Sequence, residues 1–278
     1  MTFRSQATYY DSAQARRPVI TEVLNFWDYR GLIKLLVVRD LTVRYKRSTL
    51  GVWWTVLNPL LTSLVLWIIF GQIFRFEIPN APYAVYLVSG ILLMTYFAQG
   101  VIAAGSSIVN SSGILTKVFV PPEVFALSAA VAAATNFLLS VIPLLLIQLF
   151  TGVGIPWTVV LVPIPTIALL ALVAGLGLLV ASAAVYFYDV LDLTNVFTQL
   201  IAYLSPTFYP ITIVPERFLP IVQWNPLYSY LLVFRGFVYE GAFAPPWAFA
   251  YMALTALVVL ALGVWIFSRS WKKLVVLL

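Results

Sequence analysis

The chain has 278 residues, of which 62% are hydrophobic and 9% charged, against roughly 45–50% and about 25% in soluble domains. It carries a net charge of +6 and has neither cysteine nor histidine, which excludes disulfides, thiol nucleophiles, Cys/His metal sites and imidazole acid–base chemistry. A water-soluble fold is excluded as well, and one all-α polytopic membrane domain behind a polar arm is expected.

Residues 1–51 form that arm. It lacks the apolar core and small-residue cleavage site of a signal peptide, so insertion is expected to begin at the first span. Nine of the sixteen Lys and Arg residues precede Val52, a skew that bears on membrane orientation and not on nucleic acid. Arg30–Arg47 contains no proline and predicts a helix. On its wheel Leu32, Leu35, Leu36 and Val43 make one apolar stripe, and Val37, Val38, Leu41 and Tyr45 a second roughly opposite. Lipid interface on one side and protein on the other would satisfy both stripes. A basic flank that only anchors the first span is the alternative.

Uncharged apolar runs at 52–74, 84–104, 124–150, 157–187 and 247–268 predict five spans,. A sixth, 193–210, is shorter and more polar, with Asn195, Gln199 and Ser205. Together they define a six-helix domain over 52–268 with a tail at 269–278. Six crossings put both termini on one side. Thirteen cations in the arm, the 105–123 loop and the tail, against Arg75, Arg217 and Arg235 opposite, predict that side to be cytoplasmic. The halves show no repeat, which argues against a pseudo-symmetric secondary transporter.

Trp53, Trp54, Trp67 and Phe70 surround Asn58-Pro59 in the first span, and Tyr203, Phe208 and Tyr209 lie near Pro206 in the fifth. Ring faces beside polar atoms suit sugars, so these seven are candidate channel residues, with lipid-facing packing as the equal alternative. Ser128, Ala129, Ala132, Ala133, Gly175 and Gly177 predict close helix packing.

The spans contain no Asp, Glu, Lys or Arg apart from the flanks, so ion coupling has no intramembrane carrier, and no selectivity filter is present. No Gly-x-x-x-x-Gly-Lys-Ser/Thr loop occurs, so a driving ATPase would be a separate subunit. The 105–123 loop, with Asn110, Ile114, Leu115, Lys117, Phe119, Pro121 and Glu123, is the surface expected to couple to it. Asp189 and Asp192 form a single Asp-x-x-Asp. Membrane prenyltransferases use two such clusters to hold Mg²⁺ on a diphosphate, and capping of the next helix explains one. A prenyl-diphosphate-processing membrane enzyme is therefore the alternative function, and no metal site is assigned. Residues 211–246 form a long external segment broken by Pro215, Pro220 and Pro226, whose apolar stretch Leu227–Val238 is interrupted by Arg235. It reads as a re-entrant external gate, or as a plain surface hairpin.

The segment from Arg39 to Leu61, with its charged helix, Leu50-Gly51-x-x-Trp54 and Pro59-Leu60, resembles the amino-terminal signature of ABC-2 type permease subunits of polysaccharide-exporting ABC transporters. Asn110, Lys117, Phe119 and Pro121 match the family's internal-loop pattern, and Asn225, Pro226 and Arg235 its late Asn-Pro followed by Arg. The resemblance covers nearly the whole chain. One departure is Tyr188-Asp189 where many members have Arg-Asp.

The resemblance implies a homodimer of six-span chains in the cytoplasmic (inner) membrane, with both termini inside. Two nucleotide-binding ATPase subunits would hold the ATP and Mg²⁺, and this chain no cofactor. It further implies an interfacial amino-terminal helix and external gate helices between spans five and six, where Pro215, Pro220, Asn225, Pro226 and Arg235 fall. The cargo would be a polysaccharide on a polyprenyl diphosphate. Gln6-Ala-Thr-Tyr-Tyr-Asp11 is similar to a stretch of actinobacterial galactan exporters, pointing to a cell-wall galactan. Arg44, Lys46 and Arg47, just before Trp53 and Trp54, would receive the lipid diphosphate, although topology alone also asks for cations there.

Overall fold

The computed structural model describes residues 29–46, 48–51, 53–73, 78, 81–115, 117 and 120–274. Every regular element among them is helical, the form in which a segment meets its own backbone hydrogen bonds without water. Helix α1 is Arg30–Tyr45. Helix α2, Trp53–Leu66, winds into a π-helical stretch at Trp67–Ile73. Helix α3 is Tyr83–Asn110, α4 the single turn Ser112–Leu115, and α5 Glu123–Phe150. A 3₁₀ turn at Trp157–Leu161 leads into α6, Pro163–Ala184, and α7 is Asp189–Leu204. Two short helices follow, α8 (Leu219–Trp224) and α9 (Pro226–Arg235), the latter prolonged by a π turn at Gly236–Glu240. Helix α10 is Pro246–Leu274.

Among the described residues four stretches are long and apolar enough to cross a membrane: Tyr83–Asn110, Glu123–Phe150, Trp157–Ala184 and Pro246–Ser270. They contain the expected second, third and sixth spans and most of the fourth. The apolar part of α2, Leu60–Ile73, and the 16 residues of α7 are shorter than the roughly 20 residues of a perpendicular crossing. Helix α3 runs on to Asn110, so the loop expected from residue 105 starts at Ser111. Helix α7 starts at Asp189, four residues before the uncharged run. Asp189 and Asp192 lie in its first turn, where the helix dipole favours them, and neither makes a side-chain capping bond,.

Helix α3 is the hub, packed on α5, α6, α2 and α7. Its buried Val88, Leu92, Phe97, Val101 and Ile108 join Ala126, Ala130 and Phe137 of α5 and Leu169, Leu172, Val173 and Leu178 of α6 in one core. Helices α6 and α10 approach closely. A Cβ on Gly175 would stand 2.5 Å from the Val259 carbonyl oxygen, and one on Gly263 would meet the backbone of Gly175. The two helices touch backbone to backbone, the use of small residues where no hydrophobic force separates protein from lipid.

Helix α1 lies against the start of α5. Leu36 is buried with Val124 and Phe125, and Tyr29, Leu32, Ile33, Leu115 and Val120 surround them. Leu35, Val38 and Val43 are exposed together. The two apolar faces therefore divide differently from the wheel: Leu35 and Val43 leave the stripe of Leu32 and Leu36, and Val38 joins them.

Candidate functional site

Non-helical backbone follows α7, and its carbonyls need donors. Arg235, at the end of α9 and 5% exposed, supplies them. Its Nη1 donates to the Pro206 carbonyl at 2.9 Å, and its Nη2 to the carbonyls of Tyr86 at 3.2 Å and Thr207 at 3.4 Å. Nε donates to Ser89 Oγ at 3.3 Å, and the guanidinium carbon sits 3.6 Å from the centre of the Tyr86 ring. Among the described residues no carboxylate lies within ion-pairing distance of Arg235. The charge is spread over four acceptors and a π face, a task that suits a planar guanidinium and not an ammonium. Gly90 makes the room, since a Cβ there would stand 2.8 Å from Nη2.

The Tyr86 hydroxyl donates to the carbonyls of Pro206 (2.6 Å) and Tyr209 (2.7 Å), and that of Tyr83 to Phe208. Asn225 caps α9 by accepting from the Leu227 amide at 3.1 Å while its amide donates to Ser205 Oγ at 2.8 Å. Asn at the N-cap followed by Pro at the first helical position is the favoured start of a helix. Burial raises the Tyr228 and Tyr239 phenols above their ordinary value, with Arg235 drawing both back in part, so both stay neutral. Thus α3, the end of α7 and α9 are tied into one bracket.

A cavity of about 170 Å³ lies between α2, α3 and α5. Its polar wall consists of three pairs at i, i+4 spacing, which puts each pair on one helical face: Asn58 and Thr62 on α2, Thr95 and Gln99 on α3, Asn136 and Ser140 on α5. Trp54 and Tyr96 also line it. Among the described residues no charged one does.

The segment before α5 divides into two sides. Asn110, Ile114 and Lys117 are exposed, and the Lys117 amide closes a turn onto the Ile114 carbonyl at 3.0 Å. Leu115 packs both on the main core and on the Leu36 cluster. Pro121 is half-buried, and Glu123 is buried in the first turn of α5. Phe119 lies outside the described residues, as do Arg47 and the side chain of Arg44. Lys46 is exposed beyond α1, and Trp53 and Trp54 are exposed at the start of α2.

Residues 31–239 match the family of ABC-2 type transporters. The chain belongs to that family. It is 31% identical to the O-antigen export system permease protein RfbA of Myxococcus xanthus, over 88% of this chain and 93% of that one. It is 30% identical to the protein of the same name from Klebsiella pneumoniae, over 86% and 92%. The polysialic acid transport protein KpsM of Escherichia coli is 23% identical over 83% and 90%.

Within this ABC-2 type chain the seven expected channel aromatics fall into two groups, Trp53 and Trp54 at the start of α2 and the other five around Phe208, whose ring lies 6.0 Å from that of Tyr203. Trp54 lines the cavity. Trp67, Phe70 and Phe208 pack with Tyr83, Tyr86 and Ile91 in a separate cluster. Tyr203 is exposed and receives a hydrogen bond from Gln199 at 3.2 Å, and the Tyr209 hydroxyl donates to the Leu204 carbonyl at 3.0 Å. Of the expected gate residues, Pro215 precedes a 3₁₀ turn, Pro220 lies in the first turn of α8, Pro226 in that of α9, and Asn225 and Arg235 belong to the bracket. Sequence reasoning missed Tyr86, Ser89 and Gly90, and the pairs on α3 and α5. The i, i+4 recurrence of polar residues within three apolar runs was the available signal.

Proposed function

We propose that this chain is the membrane-spanning transport subunit of an ATP-driven exporter that moves a polysaccharide across the cytoplasmic membrane. The observation that carries the reading is the family match over residues 31–239 together with near full-length likeness to permeases named for O-antigen export. Hydrolysis belongs to a separate ATPase, which holds the nucleotide and Mg²⁺. The active assembly contains two copies of each subunit. Six spans with both termini cytoplasmic complete the topology, α2 and α7 being the first and fifth, supported by the thirteen-to-three cation bias,.

In this reading the ATPase seats on the exposed side of the segment around Asn110, Ile114 and Lys117. Leu115, wedged between α1 and the core, passes the displacement to both. The cargo is a glycan on a polyprenyl diphosphate, with a cell-wall galactan as the specific expectation. A diphosphate is too costly in hydrocarbon without cations, and the basic residues Arg44, Lys46 and Arg47 receive it at the inner headgroups. Helices α8 and α9 form the outer gate, held by Arg235. Co-expression with its ATPase partner tests the proposal. A complex whose ATP hydrolysis depends on this chain, and whose vesicles translocate lipid-linked glycan, is the expected result. Turnover of a prenyl diphosphate by the chain alone would refute it.

A further inference from the structure

The cavity between α2, α3 and α5 has a composition that apolar helix packing does not explain. Seven of its twelve lining residues carry a hydroxyl or amide. Asn58 and Thr62 are exposed and Thr95 is half-buried, and their side chains have no hydrogen-bond partner among the described residues; the buried hydroxyl of Tyr96 has none either. A polar group within a membrane domain costs free energy unless something satisfies it. Other hydroxyls on these helices bond back to their own carbonyls, as Thr135 does to Val131 at 2.9 Å and Ser140 to Asn136 at 2.8 Å. Asn58, Thr62 and Thr95 instead stay available on one wall.

The occupant has to come with both donors and acceptors, because amides and hydroxyls offer both. It has to be uncharged, because among the described residues no charged side chain lines the space; a diphosphate is thereby disfavoured. The space, about 170 Å³ and partly open, admits one ring of a longer chain. Trp54 adds a flat apolar face for a ring's C–H side. Ile91, Leu92, Ala133 and Phe137 supply apolar surface as well, but a lipid tail would leave the amides and hydroxyls unsatisfied.

We infer that each protomer binds one neutral sugar ring of the passing chain in this cavity, through the paired polar residues of α2, α3 and α5. The inference rests on the exporter reading. It separates two jobs: cations at the inner face hold the carrier's diphosphate, and the mid-helix cavity holds an uncharged ring. Because its partners are amphoteric, the cavity accepts neutral sugars of different configuration.

The test uses the complete complex with its ATPase in proteoliposomes. Thr62→Val and Thr95→Val together remove two unpartnered hydroxyls at constant shape. Export should slow at least fivefold while the melting temperature stays level or rises, since no protein hydrogen bond is lost. Wild-type export, or loss of export together with a melting drop of several degrees, overturns the assignment; the latter would mark the hydroxyls as structural. A second variant reads the occupant. The chain has no cysteine, so Thr62→Cys gives this subunit a single thiol, whose labelling by a methanethiosulfonate reagent, read on this subunit alone, should slow at least threefold in neutral maltohexaose and not in inorganic diphosphate. No protection by the saccharide, or protection by diphosphate, overturns the neutral-sugar site. Failure of the exporter reading itself shows separately, as a wild-type complex without glycan export.

Discussion

Replacing Arg235 by Met removes the guanidinium that ties α9 to α3 and to the backbone after α7, at similar side-chain length. Four hydrogen bonds from a charged donor are worth about 1.5 kcal/mol each at the low end of their range, which suits their lengths of 2.9–3.4 Å. The desolvated contact with Tyr86 adds about 2 kcal/mol. Against this total of about 8 kcal/mol, relief of the burial cost of an unneutralised cation returns roughly 5 kcal/mol. The net loss is about 3 kcal/mol, or a melting decrease of about 6 °C at the roughly 2 °C per kcal/mol of a chain this size. The assay is thermal unfolding of the purified complex in nanodiscs. In parallel, leak of a small neutral dye from proteoliposomes should rise as the bracket opens. A variant that melts with or above wild type would show that desolvation outweighs the bonds and that the bracket does not hold this region together. Gly90→Ala attacks the same point from α3 and should give a smaller loss in the same direction.

Gly263→Leu places a branched side chain against the Gly175 backbone, which cannot yield, so the complex should fail to assemble or lose more than about 3 kcal/mol of stability; recovery on size-exclusion chromatography reads this out. Insertion of Gly-Ser after Lys117 should leave membrane insertion intact but abolish export and the dependence of ATP hydrolysis on this chain, and unchanged export would reject the coupling role of that segment. Gln at Arg44, Lys46 and Arg47 together, with Thr21→Lys preserving the orientation signal, should reduce export at least tenfold in correctly inserted protein; normal export would leave these cations as topology determinants alone. Leu36→Asp puts a carboxylate between Val124 and Phe125 and should release α1, seen as faster amide exchange across residues 30–45.

The helices α3, α5, α6 and α10 were legible because an apolar run without charge has one stable form in a membrane. The start of α7 was not, because a search for uncharged runs stops at Asp192, although a carboxylate in the first turn of a helix is favourable. Helix α1 was legible as a helix but not in its division of faces: a wheel orders Leu35 and Leu36 by angle and carries no information about Val124 and Phe125, which decide which of them is buried. Arg235 read as an interruption of an apolar stretch. Its acceptors at Pro206 and Thr207 exist only because the backbone leaves the helix after Leu204, which no periodicity reports. The cavity pairs were visible one at a time, and only the packing of α2, α3 and α5 makes them neighbours.

The contact between Gly175 and Gly263 has a bearing on how the domain can move. With carbonyl against Cα and no side chain between them, α6 and α10 cannot slide along one another. A slide of one turn, about 5.4 Å along the axis, would drive the same-face side chains of Leu179 or Phe267 into main-chain atoms. Rotation about the crossing point meets no such obstacle. Whatever strokes the domain makes, these two helices can only scissor, so a small angular change near their contact becomes a larger lateral displacement at both membrane faces.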